Sequence, residues 1–398
     1  MFWKQLGSRS LIVFTNQISV LFVTLILANR LGLDNYGIWA TSIIIIQIFS
    51  ILLDGGFFIP VVNELHLLNN SQKIGNIWIE IYLLKLFIFF VIAVIFLLIN
   101  YKVNIFIDLK LLILTFLCAL SYGLYPLWFY QAINKVEHLV IPNFIGRLIF
   151  ILIPLLYVDL KEDIYLVLIA QILSFVLPFL FSLYDSKSLI SNAKPPKFQS
   201  LKARLIKSIP YFIGNSFLYQ THNLWGVTLI LFANLSQIGI FQLADSFLRA
   251  GQAFIAPISE NLLIKHRQSK IIQQNILKKI SLIIILISFV SYLVLDKLVL
   301  ILGDSFYLAI PTLSLSILVW TFISVINITN YPIIGILISD KISHQLYFIY
   351  GVINLIAIII FIKFINITAY NLELFFLIIN IFFTLICFFL LVKYRNKY

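Results

Sequence analysis

One acidic and one basic residue, Asp245 and Arg249, lie four positions apart within a long apolar stretch. In an α-helix this spacing places both side chains on one face, where they can pair. A charge at the centre of a membrane-spanning helix costs about 2.5–3.5 kcal/mol on insertion scales, so such residues usually have a task. The task is either structural, a neutralised pair that holds two helices together, or functional. In a hydrated cavity, Arg249 would bind a phosphate and Asp245 would take a coupling proton or sodium ion.

Three more charged residues lie within apolar stretches. Asp54 precedes Gly55-Gly56 in a pattern that weakens or breaks a helix. Its carboxyl group then has a capping or binding role at the break, or it simply lies at the cytoplasmic boundary. The long side chain of Lys85 can extend to the cytoplasmic interface, or it can remain inside. Arg147 lies nearer the end of its stretch, and we expect it to anchor that helix at the interface.

Polar side chains cluster at matching depths of two apolar stretches. The clusters are Thr15-Asn16-Gln17 and Gln220-Thr221-His222-Asn223. If the two halves of the chain face each other, these residues would line a shared cleft. A lone histidine in such a cluster is more often a hydrogen-bonded contact between helices than a proton carrier. The cavity candidates from these clusters are Asn16, Gln17, His222 and Asn223.

The sequence lacks the usual motifs of an enzyme. It has no glycine-rich phosphate loop, no HExxH and no CxxC. The acidic pair Glu162-Asp163 is typical of solvated loop charges. Two cysteines, Cys118 and Cys387, lie in apolar stretches and suit neither a disulfide framework nor a metal site. We therefore expect no catalytic residue, no metal site and no cofactor.

The composition indicates the environment in which these residues lie. Of 398 residues, 62% are hydrophobic and 11% are charged, against about 25% charged in soluble domains. Only helices and closed barrels can cross lipid, and runs such as Ile43–Ile51 lack the alternation of a barrel strand. We predict an all-α, polytopic membrane protein. Its twelve predicted transmembrane helices are 10–31, 38–62, 78–100, 111–132, 142–158, 164–183, 209–232, 238–260, 280–302, 308–332, 346–363 and 371–392.

Basic residues are unevenly distributed between the two sides of these spans. Twenty of the 28 Lys and Arg residues lie on one side, 6 on the other and 2 within spans. The positive-inside rule then predicts that both termini are cytoplasmic. The net charge of +12 needs no nucleic-acid partner, because cytoplasmic loops of this kind contact anionic membrane lipids.

A polar stretch at 185–208 divides the chain near its midpoint. Its centre is Lys194-Pro195-Pro196-Lys197, which predicts an extended, solvated cytoplasmic linker. A faint repeat supports two halves, since Val23–Leu27 (VTLIL) recurs as Val227–Leu231 (VTLIL). We predict a six-helix lobe at 1–184 and a second one at 209–398, related as parallel repeats.

Four short motifs resemble those of a known family. The segment Leu31–Ala40 (LGLDNYGIWA) resembles an LGxxxYGxxA turn after the first span, and Asp54–Phe57 (DGGF) resembles a D-x-G-hydrophobic element in the second. Pro126–Lys135 (PLWFYQAINK) is similar to a P-x-W-x-F/Y-Q-G/A signature, although Asn134 stands where an acidic residue is common. Gly239–Ala244 (GIFQLA) resembles a G-x-Y/F-x-x-A element. Together they resemble the O-antigen and capsule repeat-unit flippases of the Wzx type, within the multidrug/oligosaccharidyl-lipid/polysaccharide (MOP) exporter superfamily.

The resemblance implies two six-helix lobes around a central cavity and transport by alternating access. The partner would be an undecaprenyl-pyrophosphate-linked oligosaccharide, moved from the cytoplasmic to the periplasmic leaflet of the bacterial inner membrane. A polysaccharide polymerase and a chain-length regulator are candidate protein partners. Four basic residues would then form a path for the pyrophosphate: Arg30 at the outer mouth, Arg249 in the middle, and Lys85 and Arg147 near the inner mouth.

Two alternatives remain open at this point. A drug or cation antiporter of the same superfamily would favour acidic residues deep in the N-terminal half, where Asp54 is the candidate. A membrane polysaccharide polymerase would usually carry long outer loops, which the span pattern does not predict.

Overall fold

The computed structural model describes residues 2–65, 71–106, 108–159, 163–219, 221–269, 274–302, 304–329, 334 and 340–395. These residues are almost entirely helical, as the hydropathy pattern predicts. The helices are α1 (Phe2–Asp54), α2 (Phe58–Leu65), α3 (Ser71–Val103), α4 (Leu109–Gly123), α5 (Leu127–Ala132), α6 (Glu137–Tyr157), α7 (Ile164–Asp185), α8 (Lys187–Ser191), α9 (Phe198–Tyr219), α10 (Thr221–Phe232), α11 (Leu235–Ser269), α12 (Gln274–Leu302), a 3₁₀ helix (Asp304–Ala309), α13 (Ile310–Thr329), α14 (Asp340–Phe364) and α15 (Ala369–Arg395).

The helices have the lengths that a membrane requires. Within the described residues, 8 helices are long and apolar enough to cross a bilayer, and the shorter apolar helices His222–Phe232 and Leu282–Leu295 add to them. The first, Gly7–Asp54, has 48 residues, about 72 Å at the α-helical rise, which is twice a hydrocarbon core of about 30 Å. Its backbone leaves helical geometry at Gly32, with φ 71° and ψ 171°. The polytopic, all-α class is confirmed.

Two predicted span boundaries are wrong. The second span was expected to run to residue 62, but α1 ends at Asp54 and the chain turns through Gly55 (φ 57°) and Gly56 (φ 68°). Glycine adopts positive φ without strain, so the break lies at the glycines. The fifth span was expected to open on Pro142, whereas α6 begins at Glu137 and contains that proline.

Contacts divide the chain into two compact units. The first unit comprises Met1–Ser19 and Thr41–Asn223, and the second comprises Val20–Ala40 and Leu224–Tyr398. In the first unit, α7 packs against α4 and α6; in the second, α13 packs against α11, α12 and α15. The predicted lobes at 1–184 and 209–398 stay a prediction.

The stretch between α7 and α9 is shorter and more ordered than an extended linker. Helix α8 occupies part of it, and only residues 193–197 lack helix or turn. The backbone amide of Lys194 donates to Asn76 Oδ1 at 2.7 Å, and Gly75 lies against the carbonyl group of Leu189, where a Cβ would collide. The stretch over 185–208 is therefore largely helical and packs on α3 instead of being extended, although most of its residues are exposed; its role as a cytoplasmic linker stays a prediction.

The glycine of the first motif allows two helices of the second unit to approach closely. A Cβ at Gly37 in α1 would collide with the backbone of Leu235 at the start of α11, and a Cβ at Gly239 would lie 3.0 Å from the carbonyl oxygen of Leu33. Tyr36 is fully buried beside this contact. The motif thus has a packing role.

Candidate substrate cavity

A cavity of about 480 Å³ lies inside the first unit. It is formed where α1 ends, beside the middle of α3, the turn between α4 and α5, and one residue of α9. Charged, hydroxyl, amide and aromatic groups occur together on its wall. Its lining residues are Arg9, Val13, Ser50, Ile51, Asp54, Gly56, Phe58, Lys85, Tyr122, Gly123, Tyr125, Leu127, Trp128, Gln131 and Phe212.

Lys85 lies deep within this unit. It follows Ser71 by 14 positions in α3, about 21 Å along the helix axis. The residue is 5% exposed, and its ammonium group donates to the carbonyl oxygen of Gly123 at 2.7 Å. The same group lies 5.9 Å from the centre of the Trp128 ring, within range of a cation–π interaction. Of the two alternatives for Lys85, the structure fits the one in which the side chain remains inside, because a helix end within the protein binds its ammonium group.

Asp54 brings an opposite charge to the same cavity. It is the last residue of α1, and the glycine turn after it redirects the chain into α2. The backbone amide of Phe57 donates to the carbonyl oxygen of Asp54 at 3.1 Å and closes this turn. Asp54 and Lys85 attract each other electrostatically. The sequence predicted this break correctly, and the structure adds the cationic partner.

The P-x-W-x-F/Y-Q motif builds one wall of the cavity. Pro126 precedes the short helix α5, and Trp128 and Gln131 on that helix line the cavity. Proline suits this place because its φ is fixed at a helix start and its missing N–H is not needed there. The motif thus positions an indole ring and an amide group beside Lys85.

Asn134 ends this motif in a left-handed conformation, with φ 57°. The backbone amide of Lys135 donates to the carbonyl oxygen of Tyr130 at 2.9 Å, the bond that closes a Schellman motif. Asparagine tolerates this conformation better than most residues. Asn134 therefore suits the turn that ends α5.

A polar network joins α1 to α6 beside the cavity. Arg147 Nε donates to Asn16 Oδ1 at 2.7 Å, and the Arg147 guanidinium lies 4.3 Å from the centre of the Phe175 ring. Tyr125, which lines the cavity, donates to Asn143 Oδ1 at 2.7 Å. Arg147 is 4% exposed. The expectation of an interfacial anchor is wrong, because Arg147 is buried against α1 and α7.

Gln17, from the predicted cluster Thr15-Asn16-Gln17, is half-buried in α1. His222 and Asn223, the other predicted cluster, are buried at the start of α10. Their burial fits the interpretation of His222 as a helix-contact residue. A role in binding substrate stays a prediction for all three.

In the second unit, Asp245 and Arg249 form the pair that their spacing predicts. Arg249 Nε donates to Asp245 Oδ2 at 2.6 Å, with the Asp245 side chain 2% exposed and that of Arg249 26% exposed. Ser246, which follows Asp245 directly, shares a hydrogen bond of 3.1 Å with Thr24. Arg30, farther along α1, is exposed. The pair lies within α11, so its bond does not itself join two helices.

Sequence reasoning missed a cluster of charges between α2, α3 and α9. Arg204 donates to Glu80 Oε2 at 2.6 Å and to Glu64 Oε2 at 3.1 Å. Ser200 also donates to Glu80, and Lys207 lies 3.9 Å from Glu64. The side chains of Glu80 and Arg204 are only 8% and 11% exposed. The available signal was Glu80 itself, a carboxylate inside the predicted third span.

The amino-acid sequence matches the family described as polysaccharide biosynthesis protein over residues 2–264, well over half of the chain. The chain belongs to this family. No curated protein gives a significant match. Membership confirms the resemblance that the four motifs indicated.

The fold of this family member is similar to that of solved transporters described as members of the MOP superfamily. An inward-facing multidrug resistance MATE family transporter has a TM-score of 0.71 at 13% identity, covering 97% of this chain and 94% of that chain. A MOP superfamily transporter from Pyrococcus furiosus has a TM-score of 0.55 at 11% identity, covering 99% and 95%. The lipid II flippase MurJ has a TM-score of 0.50 at 16% identity, covering 98% and 99%. At these identities the likenesses show a shared fold.

Proposed function

We propose that this chain is a flippase that moves undecaprenyl-pyrophosphate-linked oligosaccharide repeat units from the cytoplasmic to the periplasmic leaflet of a bacterial inner membrane. The observation that carries the proposal is the cavity of the first unit, in which Arg9 and Lys85 lie beside Trp128, Gln131 and two tyrosines. Family membership in polysaccharide biosynthesis supports the same substrate class.

The wall of the cavity suits a sugar. A glycan hydroxyl group that loses water without gaining a partner costs roughly 2–7 kcal/mol. Gln131, Ser50, Tyr122 and Tyr125 carry groups that can replace that water. The ring of Trp128 offers an apolar face for the C–H groups of a pyranose. The lipid tail meanwhile needs no protein cavity, because it stays in the bilayer.

The basic residues suit the pyrophosphate. Phosphate oxygens form strong charge-assisted hydrogen bonds with Lys and Arg, and a phosphate deprived of water needs such partners. Arg9 lines the cavity on the N-terminal part of α1. Arg249, Arg30 and Arg147 remain further proposed contacts along the path.

Orientation and coupling complete the proposal. The excess of basic residues on one side supports cytoplasmic termini, and the cavity would open by alternating access. Transport would be ion-coupled, with Asp54 and Asp245 as the candidate carboxylates. A polysaccharide polymerase and a chain-length regulator remain proposed protein partners that receive or order the product.

One observation favours a second candidate, a drug or cation antiporter: the Asp54 carboxylate lies in the cavity. A single carboxylate beside two basic residues is a poor site for a cationic drug, because Lys85 and Arg9 repel it. We therefore favour the flippase.

The decisive experiment measures on which side of the membrane the lipid-linked units lie, with and without the protein. A glycan-modifying probe that cannot cross the bilayer reports the accessible fraction in spheroplasts. Loss of the protein should trap complete units on the cytoplasmic face. Units that reach the outer face normally but stay unpolymerised would refute the flippase and support a later step.

A paired variant sharpens this experiment. Arg9→Ala removes a cavity cation and should lower the outward flux of units. Lys102→Ala removes an exposed cation from the far end of α3 and should leave the flux unchanged. Equal fluxes in the two variants would remove Arg9 from the proposed site.

A further inference from the structure

Two helices of the first unit end at the same place beside the cavity. Helix α1 ends at Asp54 and helix α4 ends at Gly123. They approach closely there, since a Cβ on Gly123 would lie only 2.5 Å from Leu53 Cδ1. Each helix C-terminus carries a partial negative charge of about half an electron and carbonyl groups that lack intrahelical donors. Two such ends and one carboxylate together attract a cation.

The chain itself supplies that cation. The Lys85 ammonium group, on a third helix, donates to the Gly123 carbonyl oxygen at 2.7 Å, and Asp54 lines the same cavity. In broken-helix transporters, helix C-termini and unwound carbonyl groups are the usual ligands of a coupling sodium ion or proton. We propose that Lys85 is a resident cation, which fills a site for a monovalent metal ion and so excludes sodium from it.

The charges at the site fit one monovalent ion. The ammonium group contacts the Gly123 carbonyl oxygen, and Asp54 lines the same cavity; a carbonyl oxygen and a carboxylate are both hard oxygen donors of the kind that bind alkali and alkaline-earth ions. Asp54 brings one negative charge and Lys85 brings one positive charge, so a divalent ion in place of the ammonium would leave excess positive charge. Removing the ammonium would leave Asp54 and the Gly123 carbonyl group for Na⁺ to bind.

Sodium-dependent stability tests this inference on the full-length protein in detergent or nanodiscs. Thermal unfolding is followed while NaCl replaces N-methyl-D-glucamine chloride at constant ionic strength. In the wild type, sodium should cause no rise of the midpoint that depends on Asp54. In Lys85→Ala the midpoint should rise with sodium. A ligand that binds only the folded state multiplies the ratio of folded to unfolded protein by 1 + [Na⁺]/Kd. The double variant Lys85→Ala/Asp54→Asn should lose this rise.

Three controls decide between the outcomes. Lys85→Arg retains a donor with a positive charge and should remain insensitive to sodium, and Lys102→Ala, in the same helix, should behave as wild type. A folded Lys85→Ala protein without a sodium response would overturn the proposal. If Lys85→Ala does not fold, the wild type still decides: sodium-specific stabilisation that Asp54→Asn abolishes refutes a resident lysine, and its absence supports one.

The sodium titration contains no glycan, so its outcome is independent of the proposed flippase function. If the chain does act as a flippase, this site would contribute no sodium dependence to transport.

Discussion

The contact between Asn16 and Arg147 yields a prediction that separates a structural role from a substrate-binding role. Asn16→Ala leaves the Arg147 guanidinium buried, at 4% exposure, and removes the oxygen that accepts from its Nε at 2.7 Å. A hydrogen bond to a charged group contributes about 1.5–3 kcal/mol. We therefore expect Asn16→Ala to lower the free energy of unfolding by about 2–3 kcal/mol.

Replacing Arg147 itself should lower the free energy of unfolding less than Asn16→Ala does. Arg147→Met loses the same hydrogen bond and a cation–π contact with Phe175 of about 0.5–2 kcal/mol. It also removes the desolvation penalty of a buried ion, which is several kcal/mol. The lost contacts and the recovered solvation nearly cancel, so Arg147→Met should be the milder of the two single variants. In the double variant, Asn16→Ala should have little further effect.

Unfolding free energies from a double-mutant cycle measure this coupling directly. Asn29→Ala, exposed in the same helix, is the matched control because it gains the same helix propensity. Additive effects of the two substitutions would refute the coupling. If Arg147→Met retains wild-type stability yet abolishes lipid-linked glycan transport, Arg147 contacts substrate and the structural interpretation fails.

Substitutions in three other parts of the molecule give further tests. Arg204→Met leaves the buried carboxylate of Glu80 without its cationic partner and should destabilise the protein by about 3–5 kcal/mol. Lys207→Met, at 60% exposure, should change thermal stability little, and equal shifts for the two variants would contradict this. A tyrosine hydroxyl group holds the pKa of Asp108 below its ordinary value, so the stabilisation by Asp108 is complete at neutral pH and is lost as pH falls below about 4; Asp108→Ala should remove this part of the pH dependence of thermal unfolding. Arg249→Ala should abolish glycan flux while the protein still inserts normally into the membrane. Normal flux would exclude Arg249 from the proposed path of the pyrophosphate. Asp245→Asn should alter the ion dependence of flux if Asp245 couples, and stability alone if it only pairs.

Local sequence patterns determined the membrane class, the helical segments and two features of the candidate sites. Apolar length predicts a span because lipid leaves a backbone no partner but itself. The glycine pair after Asp54 predicts a break because only glycine adopts positive φ freely. The pairing of Asp245 with Arg249 follows from helix periodicity alone. The break and the pair depend on residues within about one helix turn of each other, and the span depends on about 20 consecutive residues.

The partners of the other charged residues depended on the tertiary structure. Lys85 bonds a residue 38 positions away, Arg147 one 131 away, and Arg204 one 124 away. A long cationic side chain in an apolar run can extend to the interface or bind inside the protein. The sequence of its own helix does not distinguish between the two. Which occurs depends on the acceptor that another helix places within reach, such as the carbonyl group at the end of α4. The hydropathy pattern determines which helices can span the membrane. Packing between helices that are distant in the sequence determines which charged residues contact each other.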